Sequence, residues 1–251
     1  MKTIISCITE LPYDSFWLPI SLKGFLEVAD KIVIVDGSQS PSLMNALLKK
    51  NNIPKDKLVI IHKMYPHDNK GADGIMRNQY LNYCKQHFIG DLCVVVDSDE
   101  VLSDDCREQL EGIKEVMQRL SVDIFNPQMI HFIDNFSRID ATQPVHYCPG
   151  RIFKISSDLS YPEVEHVLIE SKERDLKFTQ DVDIKTLYYH YGYTKSKELI
   201  IQKYNKHLLK SNIHTPSFLK MWKDAHLLGT YPSKLFEGRH PGIVREVFKL
   251  D

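Results

Sequence analysis

Leu92-Cys93-Val94-Val95-Val96-Asp97-Ser98-Asp99-Glu100 decides how this chain is read. Five apolar residues, three of them successive valines, run straight into three acids spread over four positions. An unbroken apolar run of this kind reads as a strand covered on both faces, as the central strands of parallel sheets are. The acids then stand at its carboxyl end, the edge of an open α/β sheet where ligands bind. A carboxylate placed there is costly unless it is paired or bound to a cation. Asp97 and Asp99 lie two apart, so in a continuing strand both side chains share a face. If the chain turns after Asp97, the two can still flank one hard cation and leave coordination positions for phosphate oxygens. The plainer alternative is an acidic lead into the next helix, which Ser103, Asp104 and Asp105 open.

Upstream, apolar runs alternate with helical patterns. Gly90-Asp91 turns the chain into the central strand. Before it, Met76, Tyr80, Cys84 and Phe88 recur every fourth position on a helix that Asp73 can cap, with Arg77 and Asn78 near its start. Lys57 to His62 reads as a strand, and Ser40 or Ser42 caps a helix ending at Lys50. Lys31 to Asp36 is a second buried strand closed by an acid. A helix is expected from Asp14 or Ser15 to Ala29, with Pro19 in its first turn or delaying its start, and Thr3 to Thr9, alternating and rich in β-branched residues, is a strand that ends at Glu10. This βαβαβαβ order implies an α/β fold, Rossmann-related, with a mostly parallel central sheet flanked by helices.

Downstream, a helix spans Ser103 to Leu120 and the pattern changes. Val122 to Phe132, Thr142 to Ile155, Tyr161 to Glu170 and Ile184 to Tyr191 read as strands, with Pro127, Pro144, Pro149 and Pro162 arguing for interrupted or edge positions. Helices are expected from Lys195 to Lys210 and from Phe218 to Leu228. Residues 1–192 are therefore expected to form the main domain, with 193–251 a helical extension packed on it.

Composition narrows the function. At 251 residues, 43% hydrophobic and 26% charged, the chain can bury one sizeable core. Its 32 Lys and Arg nearly balance 33 Asp and Glu, so no overall field favours nucleic acid or an anionic membrane. No apolar run is long enough to cross a bilayer. The start, Met1-Lys2-Thr3-Ile4-Ile5-Ser6, reads as a strand rather than a signal peptide. Five cysteines, with no CxxC pair, point to buried thiols in a reducing compartment, so the expected location is cytoplasmic. Nothing in the sequence sets an oligomeric state.

Three stretches, Ile32-Val-Ile-Val-Asp36-Gly-Ser38, Gly71-Ala-Asp-Gly-Ile-Met-Arg77-Asn78 and Val96-Asp97-Ser98-Asp99-Glu100, come in the order seen in glycosyltransferases of the GT-A fold, especially family-2-like ones. The last resembles their DxD motif, and Arg77-Asn78 resembles the arginine-asparagine pair on the helix before it. The likeness covers roughly the first hundred residues. Tyr189-His190-Tyr191-Gly192-Tyr193 and His240-Pro241 continue it loosely. The resemblance implies transfer of a sugar from a nucleotide-sugar donor, a UDP- or GDP-sugar, to a hydroxyl of a glycan or other acceptor, with Mn²⁺ or Mg²⁺. Asp36 would face the nucleoside, Asp97 the ribose or the metal, and Asp99 the metal. Thr9 and Glu10, ending the first strand, would join the donor site. The chain departs from many relatives in reading Gly-Ser-Gln-Ser after Asp36.

Other side chains carry two readings each. His190, leaving a strand into a glycine turn, is a third metal ligand or diphosphate contact, or a histidine packed among tyrosines. Arg77 contacts the diphosphate or pairs with a sheet-end carboxylate. Lys195 and Lys197 serve the diphosphate or are simply solvated. Inverting transfer needs a carboxylate to take the acceptor's proton. Glu163 and Glu165 alternate onto one face of the expected strand, with His166 beside them and Asp134 as a further candidate. The rival classes are a nucleotidyltransferase, whose usual glycine-rich loop after the first strand is missing here, and a non-catalytic carbohydrate-binding or scaffold protein that has kept the fold.

Overall fold

The first half of the chain alternates strictly between strand and helix: β1 (Thr3–Thr9), α1 (Leu18–Val28), β2 (Lys31–Asp36), α2 (Pro41–Lys50), β3 (Leu58–His62), α3 (Ala72–His87) and β4 (Leu92–Asp97). These elements come from a computed structural model that describes residues 1–69, 71–142, 146–147, 150–163, 168–180, 185–210 and 216–250. β1 lies between β4 and β2, with β3 beyond β2, and all three pairings are parallel. The expected architecture, an α/β fold with a mostly parallel central sheet flanked by helices, is what forms.

The apolar run at 92–96 explains the layering. Val94 and Val96 face a core shared with Leu22 and Phe25 of α1, Leu48 of α2 and Ile113 of the helix that follows β4. Cys93 and Val95 face the opposite core, with Met76, Tyr80 and Cys84 of α3. Neither face meets water, which is why the run carries no polar alternation.

After β4 the chain turns at Ser98 and Asp99 and leaves the central sheet. There follow β5 (Glu100–Leu102), α4 (Cys106–Leu120), β6 (Ile124–Phe125), β7 (Gln128–Ile133), β8 (Arg138–Asp140), β9 (His146–Tyr147), β10 (Ile152–Lys154), β11 (Leu159–Ser160), β12 (Glu170–Ser171), β13 (Phe178–Thr179) and β14 (Tyr188–Tyr193). β10 runs antiparallel beside β4 and, with β6 and β13, extends the central sheet to seven strands. β5, β14, β7 and β8 belong to a second sheet. Its core stacks Trp17 on Tyr191 and Tyr191 on Phe132, each pair at 4.6 Å.

The chain ends with α5 (Lys197–Lys210), α6 (Pro216–Leu227), β15 (Ser233–Leu235) and α7 (Gly242–Phe248). The segment expected to be helical therefore also supplies a strand, β15, which pairs antiparallel with β8. No helix among the described residues is long and apolar enough to cross a membrane. Cys7, Cys84, Cys93 and Cys106 are buried free thiols.

Several boundaries moved for identifiable reasons. α1 starts at Leu18, because the Asp14 carboxylate accepts the Glu10 N–H (2.7 Å) and the Thr9 hydroxyl (3.1 Å) and holds the preceding residues in turns. Asp73 does not cap α3; its carboxylate accepts the Tyr65 hydroxyl instead, and Gly71 holds the cap position. The strand expected from Val122 to Phe132 breaks at Asn126-Pro127, where proline has no N–H to give a ladder. Tyr161 to Glu163, expected in a strand, is instead held to α3. The Asn78 amide donates to the Tyr161 carbonyl (2.8 Å), and the Asn78 carbonyl oxygen accepts the Tyr161 N–H (2.9 Å).

Candidate functional site

The carboxyl ends of three neighbouring parallel strands meet at one edge. In register, Thr9 of β1 stands beside Asp36 of β2, and Ile8 beside Asp97 of β4. One strand thus separates the two acids.

Asp36 is fully buried. Its Oδ1 accepts the Ser38 N–H at 3.0 Å and the Ser38 hydroxyl at 2.5 Å. Its Oδ2 receives no hydrogen bond among the described residues and lies 3.5 Å from His62 Nδ1. A buried carboxylate oxygen left so is costly, and an incoming N–H donor would relieve it. Beside it opens a cleft of about 560 Å³, lined by Gly37, Gln39, Tyr65, Pro66, His67 and Asn69 among others. A side chain at Gly37 would come within 3.1 Å of Tyr65 Cβ and 3.2 Å of the Thr9 carbonyl, so glycine keeps this corner closely packed. Thr9 is buried, its carbonyl accepting the Gly37 N–H at 2.7 Å and its hydroxyl spent on Asp14. Glu10 Oε1 lies 2.7 Å from His67 Nε2, at the same cleft.

Asp97 and Asp99 stand at the corner where the chain passes from one sheet to the other, and they face different cations. Asp97 Oδ2 lies 2.7 Å from Arg151 Nη2, and Oδ1 lies 3.5 Å from Arg77 Nη2. Burial alone would raise the Asp97 pKa, but the Arg151 and Arg77 guanidiniums outweigh it and hold the carboxyl well below the usual carboxylate range. Asp99 is buried, with Oδ2 2.8 Å from Lys195 Nζ and Oδ1 3.5 Å from His190 Nε2. Burial works against the Lys195 charge, yet Asp99 and the nearby Tyr13 and Asp14 raise its pKa above the ordinary lysine value. The other ring nitrogen of His190, Nδ1, lies 2.7 Å from His131 Nδ1.

Glu100, the next acid, is almost wholly buried. Its Oε2 accepts the Asp97 N–H at 2.7 Å, and its Oε1 lies 3.1 Å from Arg151 Nη2. One guanidinium thus serves two carboxylates. Burial, only partly offset by Arg151, pushes the Glu100 pKa up to about 8.

The residues expected to hold Mn²⁺ or Mg²⁺ do not fit one ion together. Asp97 is turned to Arg151 and Arg77, Asp99 to Lys195 and His190, and His190 also to His131, and no cluster of three His, Cys, Asp or Glu side chains suited to a metal forms among the described residues. Of the remaining candidates, Glu163 is exposed, its backbone packed against Gly71 and Gly74 at the start of α3, while Glu165 and His166 lie outside the described residues. Asp134 directly follows β7 with φ of 61° and faces His226 of α6 at 3.8 Å. Lys197 is exposed on α5, and His240 Nδ1 lies 2.9 Å from the Tyr191 hydroxyl in the aromatic core.

Sequence reading missed Arg151 and His131. Arg151 precedes β10, and its backbone carbonyl accepts the Val95 N–H at 2.7 Å, which fixes the guanidinium beside the end of β4. Its partner is 54 residues away in the chain, and nothing local marks it. His131 lies opposite His190 in the β7–β14 register, a pairing that only the fold reveals.

No protein-family model and no curated protein matches the sequence. Among solved structures, S. aureus TarS aligns with a TM-score of 0.49 and 15% identity over 92% of this chain and 43% of its own. Its fragment 1-349 in complex with UDP-GlcNAc aligns at 0.43 and 14%, over 92% of this chain and 71% of that one. Mannose-6-phosphate isomerase from Helicobacter pylori aligns at 0.39 and 12%, over 94% and 87%. The chain thus spans less than half the length of TarS. Likenesses this distant assign no activity to it.

Proposed function

We propose that the chain is a glycosyltransferase that moves a sugar from a UDP- or GDP-sugar to an acceptor hydroxyl, with the donor lying across the carboxyl ends of β2, β1 and β4. The observation that carries this reading is the bracket around the end of β1: an Asp36 oxygen short of a donor on one side, and the Asp97–Asp99 corner with Arg77, Arg151 and Lys195 on the other. A nucleotide diphosphate matches that division, with N–H donors on its base and negative charge on its phosphates.

In the reaction, the acceptor oxygen attacks the anomeric carbon and the bond from that carbon to the β-phosphate oxygen breaks. The nucleoside diphosphate leaves with the bonding electrons, and the acceptor proton passes to a base. Arg77 and Arg151 stand where fixed positive charge would stabilise the departing diphosphate. The base is assigned to the 163–165 segment, with Glu165 ahead of Glu163. Tyr161, two residues before Glu163, has its ring 5.9 Å from the Arg77 guanidinium carbon, which supports looking for the base in the segment that follows it.

The test is a screen of nucleotide sugars, with and without glycan acceptors, for release of UDP or GDP. The reading predicts release with at least one UDP- or GDP-sugar, lost in Asp36→Asn through at least tenfold weaker nucleotide binding, the scale of one hydrogen bond to a charged group. Activity that is indifferent to Asp36→Asn, or confined to nucleoside triphosphates, would overturn it.

A further inference from the structure

Asp99 already has a counter-ion, and it is part of the chain. Lys195 follows β14 and turns inward, its side chain 4% exposed. Its ammonium sits 2.8 Å from Asp99 Oδ2 and 4.4 Å from the centre of the Tyr13 ring, so a cation–π face and a carboxylate hold it from two sides. A magnesium ion on that same oxygen would lie about 2.0–2.1 Å away, beside the ammonium, with like charges in a poorly solvated corner. To admit it, Lys195 would have to give up its contact with Asp99.

Asp97 has its own counter-charges, with Oδ2 on Arg151 and Oδ1 toward Arg77. The turn at Ser98 carries Asp99 toward β14 and leaves Asp97 with the central sheet. Ser98 is held in that turn, its carbonyl accepting the Ser21 hydroxyl at 3.0 Å. The two carboxylates are thus served separately, one by Arg151 and Arg77 and the other by Lys195.

We propose that Lys195 is the built-in counter-cation of Asp99, and that this edge binds a nucleoside diphosphate without a divalent metal. The second half rests on the donor-site reading given above; the first does not. Lys195 acts here as a positioning residue, keeping Asp99 charged and in place while Arg77 and Arg151 face the phosphates.

The experiment titrates Mn²⁺ alone into the full chain, followed by the magnetic resonance signal of the free ion and by melting temperature, and repeats the melts with UDP and GDP in either EDTA or Mn²⁺. The parent should leave the free-ion signal unchanged, and a nucleotide should raise its melting temperature equally in both buffers. Lys195→Ala should melt lower and gain a manganese-dependent rise that the parent lacks. Lys195→Met, which keeps the stem over Tyr13, should show the same gain if the alanine variant folds poorly. Manganese uptake by the parent that Asp99→Asn removes, nucleotide stabilisation seen only with Mn²⁺, or no manganese response in the folded Lys195 variants would overturn the proposal. If neither nucleotide acts in either buffer, the donor-site reading fails, and the manganese response still decides the role of Lys195.

Discussion

Glu100 shows how one buried side chain can tie stability to pH. Burial outweighs the help of Arg151, so Glu100 keeps its proton to about pH 8 in the folded chain. Unfolded, it would ionise near the ordinary glutamate value of about 4.3. Between those limits the folded state holds more protons than the unfolded state, so this group lowers stability as pH rises and stops doing so above about 8. Glu100→Gln removes that slope, whatever constant offset the carboxamide brings. The difference in melting temperature, variant minus parent, should therefore climb between pH 5 and pH 8, and a flat difference would show that Glu100 is already ionised. The proposed base makes the opposite kind of prediction. Glu165→Gln should keep nucleotide affinity but lose on the order of 10²-fold in transfer rate, while Glu163→Gln should be mild. Single-turnover transfer with the best donor from the screen checks both, and a parental rate for Glu165→Gln would move the assignment to Glu163.

Among the elements, α3 and the 161–163 segment form a unit that explains the Arg77-Asn78 pair. Arg77 reaches Asp97, while Asn78 makes two hydrogen bonds to the Tyr161 backbone, much as a neighbouring strand would. The approach is close enough that a Cβ on Gly74 would lie 2.0 Å from the Pro162 carbonyl oxygen. Gly→Ala in an open helix stabilises by about 1 kcal/mol. Here overpacking should reverse the sign and cost about 1–3 kcal/mol, read from urea unfolding midpoints with the slope unchanged. A stabilised Gly74→Ala would mean that the segment does not dock on α3. The sequence announced α3 through its fourfold spacing, β2 and β4 through apolar runs that never alternate, and β1 through alternation and β-branched residues. Those are local signals. The docking of residues 161–163 carried no such signal, because a side-chain clamp replaces the strand ladder. β15 was equally hidden: its three residues are half-buried or exposed, and pairing with β8 across 93 or more residues defines it.

For the whole molecule, the decisive feature is where the two sheets meet. The spacing of Asp97 and Asp99 was legible as a site, but their division between different cations was not, since it depends on β5 leaving the central sheet to pair with β14. Lys195 reaches Asp99 from 96 residues away for the same reason. The fold thus converts a motif that looks like one acidic cluster into two ion-paired corners around a sheet edge. It also sets Asp36 one strand away, beside the cleft, which is the arrangement the donor-site reading depends on. A crystal structure of the chain with UDP or GDP bound tests that arrangement most directly. The account predicts the base in the cleft with an N–H toward Asp36 Oδ2, and the phosphates next to Arg77 and Arg151. A nucleotide bound elsewhere, or bound at this edge with its phosphates toward Asp36, would contradict it.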